Sequence, residues 1–295
     1  MKYGCQSMIE PIAEILMKKP EDAFKNQRNL DEKFREYGYY ESPDFEAVLK
    51  EYHNFEKIIS ENVEKIHYLP FDEGAGLDSI YTHDPVKITK RGAVYFQMGK
   101  ALRQGEPPAT RAFLESAGVP TLGSIQGDGK MEGGDVVWLS EREVAIGMGY
   151  RTNEEGIRQF RELLGNLIDL IIMVPMPHGE GRDACLHLMS IISMVDSDLA
   201  VVYSKYMPVF FREYLIGKGI KLIETDDDEY GYLGSNVLAL GNRKCVVMEG
   251  NPKVKKALKD AGATVFTYPG RNLSYLGTGG PTCLTCPVCR GTYEY

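Results

Sequence analysis

Apolar residues recur three or four positions apart in three charged stretches, FEAVLKEYHNFEKIISENV (45–63), NEEGIRQFRELLGNLIDLI (153–171) and NPKVKKALKDAG (251–262). That period predicts surface helices, each burying one stripe. Between them run short apolar segments ended by Gly, Pro or Asp: RGAVYFQMG, DVVWLS, EVAIGMG, DLAVVYS, NVLALGN, KCVVMEG and ATVFTYPG. These read as strands. One order occurs twice. DVVWLS and EVAIGMG are followed by the helix opening at Asn153 and then by LIIMVP, and NVLALGN and KCVVMEG are followed by the helix at Pro252 and then by ATVFTYPG. Strand–strand–helix–strand units that close radially make a propeller, so an α/β architecture of repeated ββαβ units is expected. No Gly/Ser linker or charge run divides the chain, which predicts a single domain over residues 1–295. The glycine-rich GTGG at 277–280 runs into Pro281 and cysteines instead of opening a helix, which argues against a doubly wound dinucleotide fold.

Composition adds exclusions. With 43% hydrophobic and 26% charged residues the chain resembles an ordinary globular protein, not a disordered or fibrous one. A net charge of -8 argues against nucleic acid, whose phosphates need clustered Lys and Arg, and favours a small cationic or zwitterionic partner. The opening MKYGCQSMIEPIAEILMKKP has no basic region followed by an apolar run, and the longest apolar stretch, around LIDLIIMVPM, is broken by Asp169 and Pro175 and followed by Pro177. Neither signal peptide nor membrane association is expected. Three of the six cysteines crowd into CLTCPVC, so reduced thiols and a cytoplasmic protein are the expectation. A homo-oligomer is compatible with all of this.

The chemistry-bearing candidates are individually ambiguous. Cys283 follows two glycines and a proline, where a sharp turn can present a thiol to a pocket floor. Cys283, Cys286 and Cys289 fall three apart, but structural zinc needs a fourth ligand that no second cysteine pair or nearby His provides. From spacing alone, buried inert thiols are the simpler account. His187 lies in apolar CLHLMSIISMVD, where a satisfied core histidine is the ordinary explanation. His178 falls in the glycine-rich MPHGEGRD and His83 beside Asp84. Glu132 and Asp135 flank two glycines before a strand, and Asp78 and Asp84 bracket another short segment. Acidic residues near strand ends in several units would share an axial pocket if the units close into a ring.

Taken in order, DSIYTHDP, EGGD followed by GMGYRTNEEG, LHLMS and GGPTCLTCP resemble the guanidine-modifying superfamily of arginine deiminases, dimethylarginine dimethylaminohydrolases and amidinotransferases. The resemblance runs from about residue 70 to 290. It implies a five-bladed α/β propeller of ββαβ units with pseudo-fivefold symmetry. It also implies a hydrolase in which Cys283 attacks a guanidinium carbon, His187 is general acid and base, and Glu132 holds the guanidinium. Asp84 and Asp78 would complete the acidic cradle, and Arg103 and Arg151 would hold a substrate carboxylate. The product would be ureido (citrulline-like), with ammonia or an alkylamine released and no cofactor or metal used. Arginine deiminases carry an acidic residue two positions after the histidine, whereas Met189 stands there in this chain. An amidinotransferase, in which an amine replaces water, is the alternative. The same propeller also serves as a non-catalytic ribosome-binding factor, so the fold by itself does not imply catalysis.

Overall fold

The structure, a computed structural model, describes residues 1–182 and 184–291; Asp183 and residues 292–295 of the expected domain lie outside the described residues. The strands in chain order are β1 (Ile12–Met17), β2 (Lys65–Tyr68), β3 (Val86–Thr89), β4 (Gly92–Tyr95), β5 (Thr121–Ser124), β6 (Val136–Ser140), β7 (Glu143–Met148) and β8 (Leu170–Pro175). They continue as β9 (Ile192–Asp196), β10 (Leu199–Val202), β11 (Lys221–Glu224), β12 (Leu238–Gly241), β13 (Lys244–Met248), β14 (Thr264–Tyr268) and β15 (Cys286–Arg290). They form five three-stranded sheets: β3-β4-β5, β6-β7-β8, β9-β10-β11, β12-β13-β14 and β15-β1-β2.

Every sheet follows one plan, the ββαβ unit. Its first two strands pair antiparallel, a helix follows, and the third strand returns parallel to the second. The helices are Glu106–Ser116, Glu154–Leu164, Val209–Gly217 and Pro252–Asp260 in the four continuous units, and Phe45–Ser60 in the fifth. The fifth unit is split, because β15 pairs with β1 from the opposite end of the chain, with Ile15 opposite Pro287. On its outer side β15 also pairs with Gly4, whose N donates to Val288 O and whose carbonyl accepts from Arg290 N. The five units close into the α/β propeller expected from the sequence.

Apolar cores fill the seams between neighbouring units. Val94 and Phe96 beside β4 pack with Val136, Trp138 and Ile146, and with Ile157, Phe160 and Leu164 of the next helix. Val201 packs likewise against Val237, Val247, Val254 and Leu258. The expected helix over 153–171 is capped by Asn153, whose side chain accepts from Gly156 N, and ends at Leu164. Gly165 then takes a positive φ of 53°, a left-handed turn that breaks the helix before β8 begins. The helices Glu106–Ser116 and Val209–Gly217 were not legible as periodic stretches. The first opens on Pro107 and Pro108, tolerated in an unpaired first turn, and the second is apolar over most of its length. Among the described residues no helix is long and apolar enough to cross a membrane.

One buried link connects the frame to the site. Glu51, on the helix Phe45–Ser60, accepts hydrogen bonds from Asn272 N at 2.8 Å, Leu273 N at 2.7 Å and Asn272 Nδ2 at 3.1 Å. It thereby fixes the turn that leads into the Cys283 segment. Glu51→Ala leaves those donors unpaired, and the expected loss is roughly 3 kcal/mol in urea unfolding; an unchanged midpoint would contradict this role.

Candidate active site

The five first strands, β3, β6, β9, β12 and β15, all contribute to one axial cavity, so they are the inner strands of the ring. Just before each of them, at its head, stands a polar residue: Asp84, Glu132, His187, Asn236 and Cys283. The ββαβ repeat thus brings together side chains up to about two hundred positions apart. Asp84, Glu132 and His187 offer ligand-type atoms all within 4.8 Å of one another.

The two carboxylates are held from several sides. Asp84 accepts from Arg103 Nη1 at 2.6 Å and from Gly134 N at 2.8 Å. Glu132, with none of its surface exposed, accepts from Gly99 N at 2.9 Å, Lys100 N at 3.1 Å and Arg151 Nη1 at 3.0 Å. Its other contact is His187 Nε2, at 2.7 Å. Burial alone would push the Glu132 pKa up, but the His187 hydrogen bond and the Arg151 charge outweigh it and bring it to about 2. Asp84 is likewise drawn far below the carboxylate range, against burial, by Arg103 and His187. Both groups are anionic at neutral pH. The three could geometrically ligate a cation, but Arg103 and Arg151 already occupy carboxylate oxygens and oppose one.

His187 is charged for the complementary reason. Burial disfavours its imidazolium, yet Cys185, Asp84 and Asp135 around it raise its pKa well above the ordinary value. Cys185 Sγ lies 3.5 Å from Nδ1, and the His187 N–H is held by Ser190 Oγ at 3.1 Å. Gly134 is required here by space, since a Cβ on it would lie 2.5 Å from His187 Nδ1 and 3.0 Å from Asp84 Oδ1.

Cys283 is half-buried on a tight turn closed by Leu284 N to Gly280 O and Thr285 N to Thr282 O. Burial and then the Asp84 charge push its thiol up to about 11, so the resting group is the thiol. Asn236 partly offsets this. Its Nδ2 points at Sγ from 3.4 Å, while its Oδ1 accepts from Thr282 N and Thr282 Oγ1 at 3.1 and 2.8 Å.

The expected residues divide in two groups. Cys283, His187, Glu132 and Asp84 stand at neighbouring strand heads. Arg151 touches Glu132 directly. Arg103 is fully engaged, donating a fork to both Glu106 oxygens at 2.8 Å each as well as to Asp84. Asp78 stands outside the cluster, paired with Lys100 Nζ at 2.6 Å, and so steadies the 99–100 backbone that grips Glu132. His178 lies by Tyr150 at the surface, with Nδ1 2.8 Å from the phenol oxygen. Asn236, Cys185 and Lys100 were not singled out from the sequence. For Asn236 the signal was present, since it opens NVLALGN at the place equivalent to Asp84 before its own inner strand. Cys286 and Cys289 are buried strand residues of β15 and take no part in the cluster.

Two outcomes follow from this geometry. In Gly134→Ala the imidazole is displaced from Glu132, and by NMR the His187 pKa falls toward the ordinary value by at least about one unit; an unmoved titration would contradict the close-packing argument. The ultraviolet absorbance of the thiolate, taken as wild type minus Cys283→Ser, shows its step near pH 11 in the free protein; a step near neutrality would contradict the burial argument.

Comparison with known proteins gives the family and the fold. The arginine deiminase family model matches residues 77–212 and 208–290. The uncharacterized protein YkgA of Bacillus subtilis (strain 168) is 28% identical over 236 residues, which cover 80% of this chain and 78% of YkgA. The arginine deiminase of Mycobacterium avium (strain 104) is 30% identical over 190 residues, 54% of this chain, and the match spans only 46% of that longer protein. In three dimensions the chain is similar to the dimethylarginine dimethylaminohydrolase of Pseudomonas aeruginosa complexed with citrulline (TM-score 0.74, 20% identity, 93% of this chain and 98% of that one). It is also similar to SxtG, an amidinotransferase from Microseira wollei (TM-score 0.77, 18% identity, 99% of both chains). With most of its length matched, cysteine turn included, the chain belongs to the arginine deiminase family of the guanidine-modifying superfamily.

Proposed function

We propose that the protein is a hydrolase of the guanidinium group of arginine or an arginine derivative, acting through a covalent intermediate on Cys283. The observation that carries this reading is the cluster at the strand heads, where two buried anions, an imidazolium and a thiol face one axial site. The carboxylates already grip guanidinium groups, Asp84 that of Arg103 and Glu132 that of Arg151. A planar substrate guanidinium asks for the same paired hydrogen bonds.

In this reading Asp84 and Glu132 orient the substrate cation with its carbon facing Cys283. The arriving positive charge lowers the thiol pKa from its raised resting value, so the thiol releases its proton to solvent and the thiolate forms on binding. Sγ attacks the guanidinium carbon, and the imidazolium of His187 gives its proton to the departing nitrogen as the carbon–nitrogen bond breaks. The amine leaves, a thiouronium remains on Cys283, and the now neutral His187 removes a proton from water. The resulting hydroxide adds to the same carbon. As the carbon–sulfur bond breaks, the proton of the added hydroxyl passes to sulfur, which yields the ureido product and the free thiol while His187 keeps the proton taken from water. Arg151, 9% exposed in its side chain, is the group placed to turn from Glu132 toward a substrate carboxylate, whereas Arg103 serves by holding Asp84.

Met189 bears on the leaving group. It is buried in the apolar cluster with Leu188, Ile191 and Ile192, so the position two after the histidine adds no third carboxylate to the cradle. A singly anchored guanidine nitrogen leaves room for an alkylated amine. The fold shared with SxtG gives amidino transfer to an amine as the second reading.

Purified protein incubated with arginine, methylated arginines and agmatine, each with and without an amine acceptor, separates these. Ureido product is expected without acceptor, and transfer of the amidino group with no ureido product would replace hydrolysis by transfer. Cys283→Ser should abolish turnover while leaving the fold intact, and Asp84→Asn should lower kcat/KM by on the order of 100-fold or more.

A further inference from the structure

Both ring nitrogens of His187 are taken by side chains. Nε2 lies 2.7 Å from Glu132 Oε2, and Nδ1 lies 3.5 Å from Cys185 Sγ. Cys185 stands two positions before the histidine. It keeps an exposed face but turns its sulfur inward onto the buried ring.

This pair has two possible resting forms, thiol with imidazole or thiolate with imidazolium, and the surroundings select the ions. Around the ring stand Asp84, from ahead of β3, and Glu132 and Asp135, from ahead of β6, all of which stabilise its positive charge. Arg151, from the turn after β7, acts on Cys185 from another side. Desolvation among these groups works against a thiolate, and so does Asp84. The His187 charge and hydrogen bond, with Arg151 behind them, outweigh both and lower the Cys185 pKa. Tyr40 and Tyr230, close enough to feel the Cys185 charge, are neutral phenols and bring none of their own. Cys283 is shifted the opposite way, so the site holds two unlike thiols, one ready to ionise and one that rests protonated.

A ring with anions at both nitrogens carries two protons and cannot turn without losing a hydrogen bond. Once it has given one proton away, the same anions make the neutral ring a stronger base. Removing a proton from water requires such a base. We propose that Cys185 is a further positioning residue of the reaction: as a thiolate it holds His187 by Nδ1, opposite Glu132, and strengthens the ring as a base for the water step. This role presupposes the hydrolysis proposed for Cys283, whereas the ion pair itself does not.

Two measurements on the full chain need no turnover. In Cys185→Ser the His187 pKa read by NMR falls by at least about one pH unit, and Cys185→Asp, which restores an anion, recovers most of the shift. Iodoacetamide at neutral pH alkylates Cys185 ahead of Cys283, the sulfur displacing iodide. Cys283→Ser therefore reacts at the wild-type rate and Cys185→Ser at least about tenfold more slowly. An unmoved His187 titration, or a Cys185 no more reactive than Cys283, would overturn the pairing. With any guanidine that is hydrolysed, Cys185→Ser should slow loss of the thiouronium, seen by intact-mass spectrometry as a larger steady-state share of adduct on Cys283. An unchanged share overturns the role in the water step. Failure to hydrolyse any guanidine counts against the hydrolase reading, and the titration and the alkylation still decide the ion pair.

Discussion

The site depends on a belt of hydrogen bonds that runs once around the propeller axis and joins each strand head to the next. His83 N donates to the carbonyl of Cys283, and Gly133 N donates to the carbonyl of Asp84. Leu188 N donates to Asp135 Oδ1, Ser235 Oγ to the carbonyl of Ser190, and Thr282 N to Asn236 Oδ1. These links are buried or nearly so, where a missing partner costs more than a formed bond returns. The five heads are therefore fixed relative to one another by polar contacts of low tolerance, while the apolar seams behind them supply most of the bulk stability.

That belt lets the protein keep unlike charges in a small dry volume. Asp84 and Glu132 remain anionic in burial because Arg103, Arg151, His187 and three backbone N–H groups surround them. The acids in turn keep His187 protonated. The thiol receives no such support and rests in its neutral form, so the charged groups of the site surround an uncharged Cys283. Asp135 has a more local task. Its carboxylate, raised to about 6 chiefly by burial, accepts the Leu188 N–H and so helps set the segment that carries His187.

The legible parts of this arrangement were those with a local signature. The ββαβ order showed in two units because β6, β7, β12 and β13 are short apolar runs broken by turn residues. Cys283, His187, Glu132 and Asp84 were readable through the wording around them. What stayed hidden depends on contacts distant in sequence. The split unit joins segments with no local reason to pair, and Pro287 disguises β15 as a turn. The resemblance made Arg103 a holder of a substrate carboxylate, and only the fold brings Glu106 and Asp84 onto it. Asn236 carries no charge and stands in an ordinary strand entrance, and its place beside the thiol appears only once five strand heads are seen to converge.

The split unit ties chemistry to the order of assembly. Four units can form from contiguous chain, but β15 must find β1 across more than two hundred and fifty intervening residues, a slow closure of high contact order. Cys283 lies three residues ahead of β15. Cys283 is made after the four other strand heads, so it joins His187 and Asp84 only when the ring shuts. Until β15 docks, the carboxylates and the imidazole lack their thiol neighbour, so the cluster is completed only together with the fold.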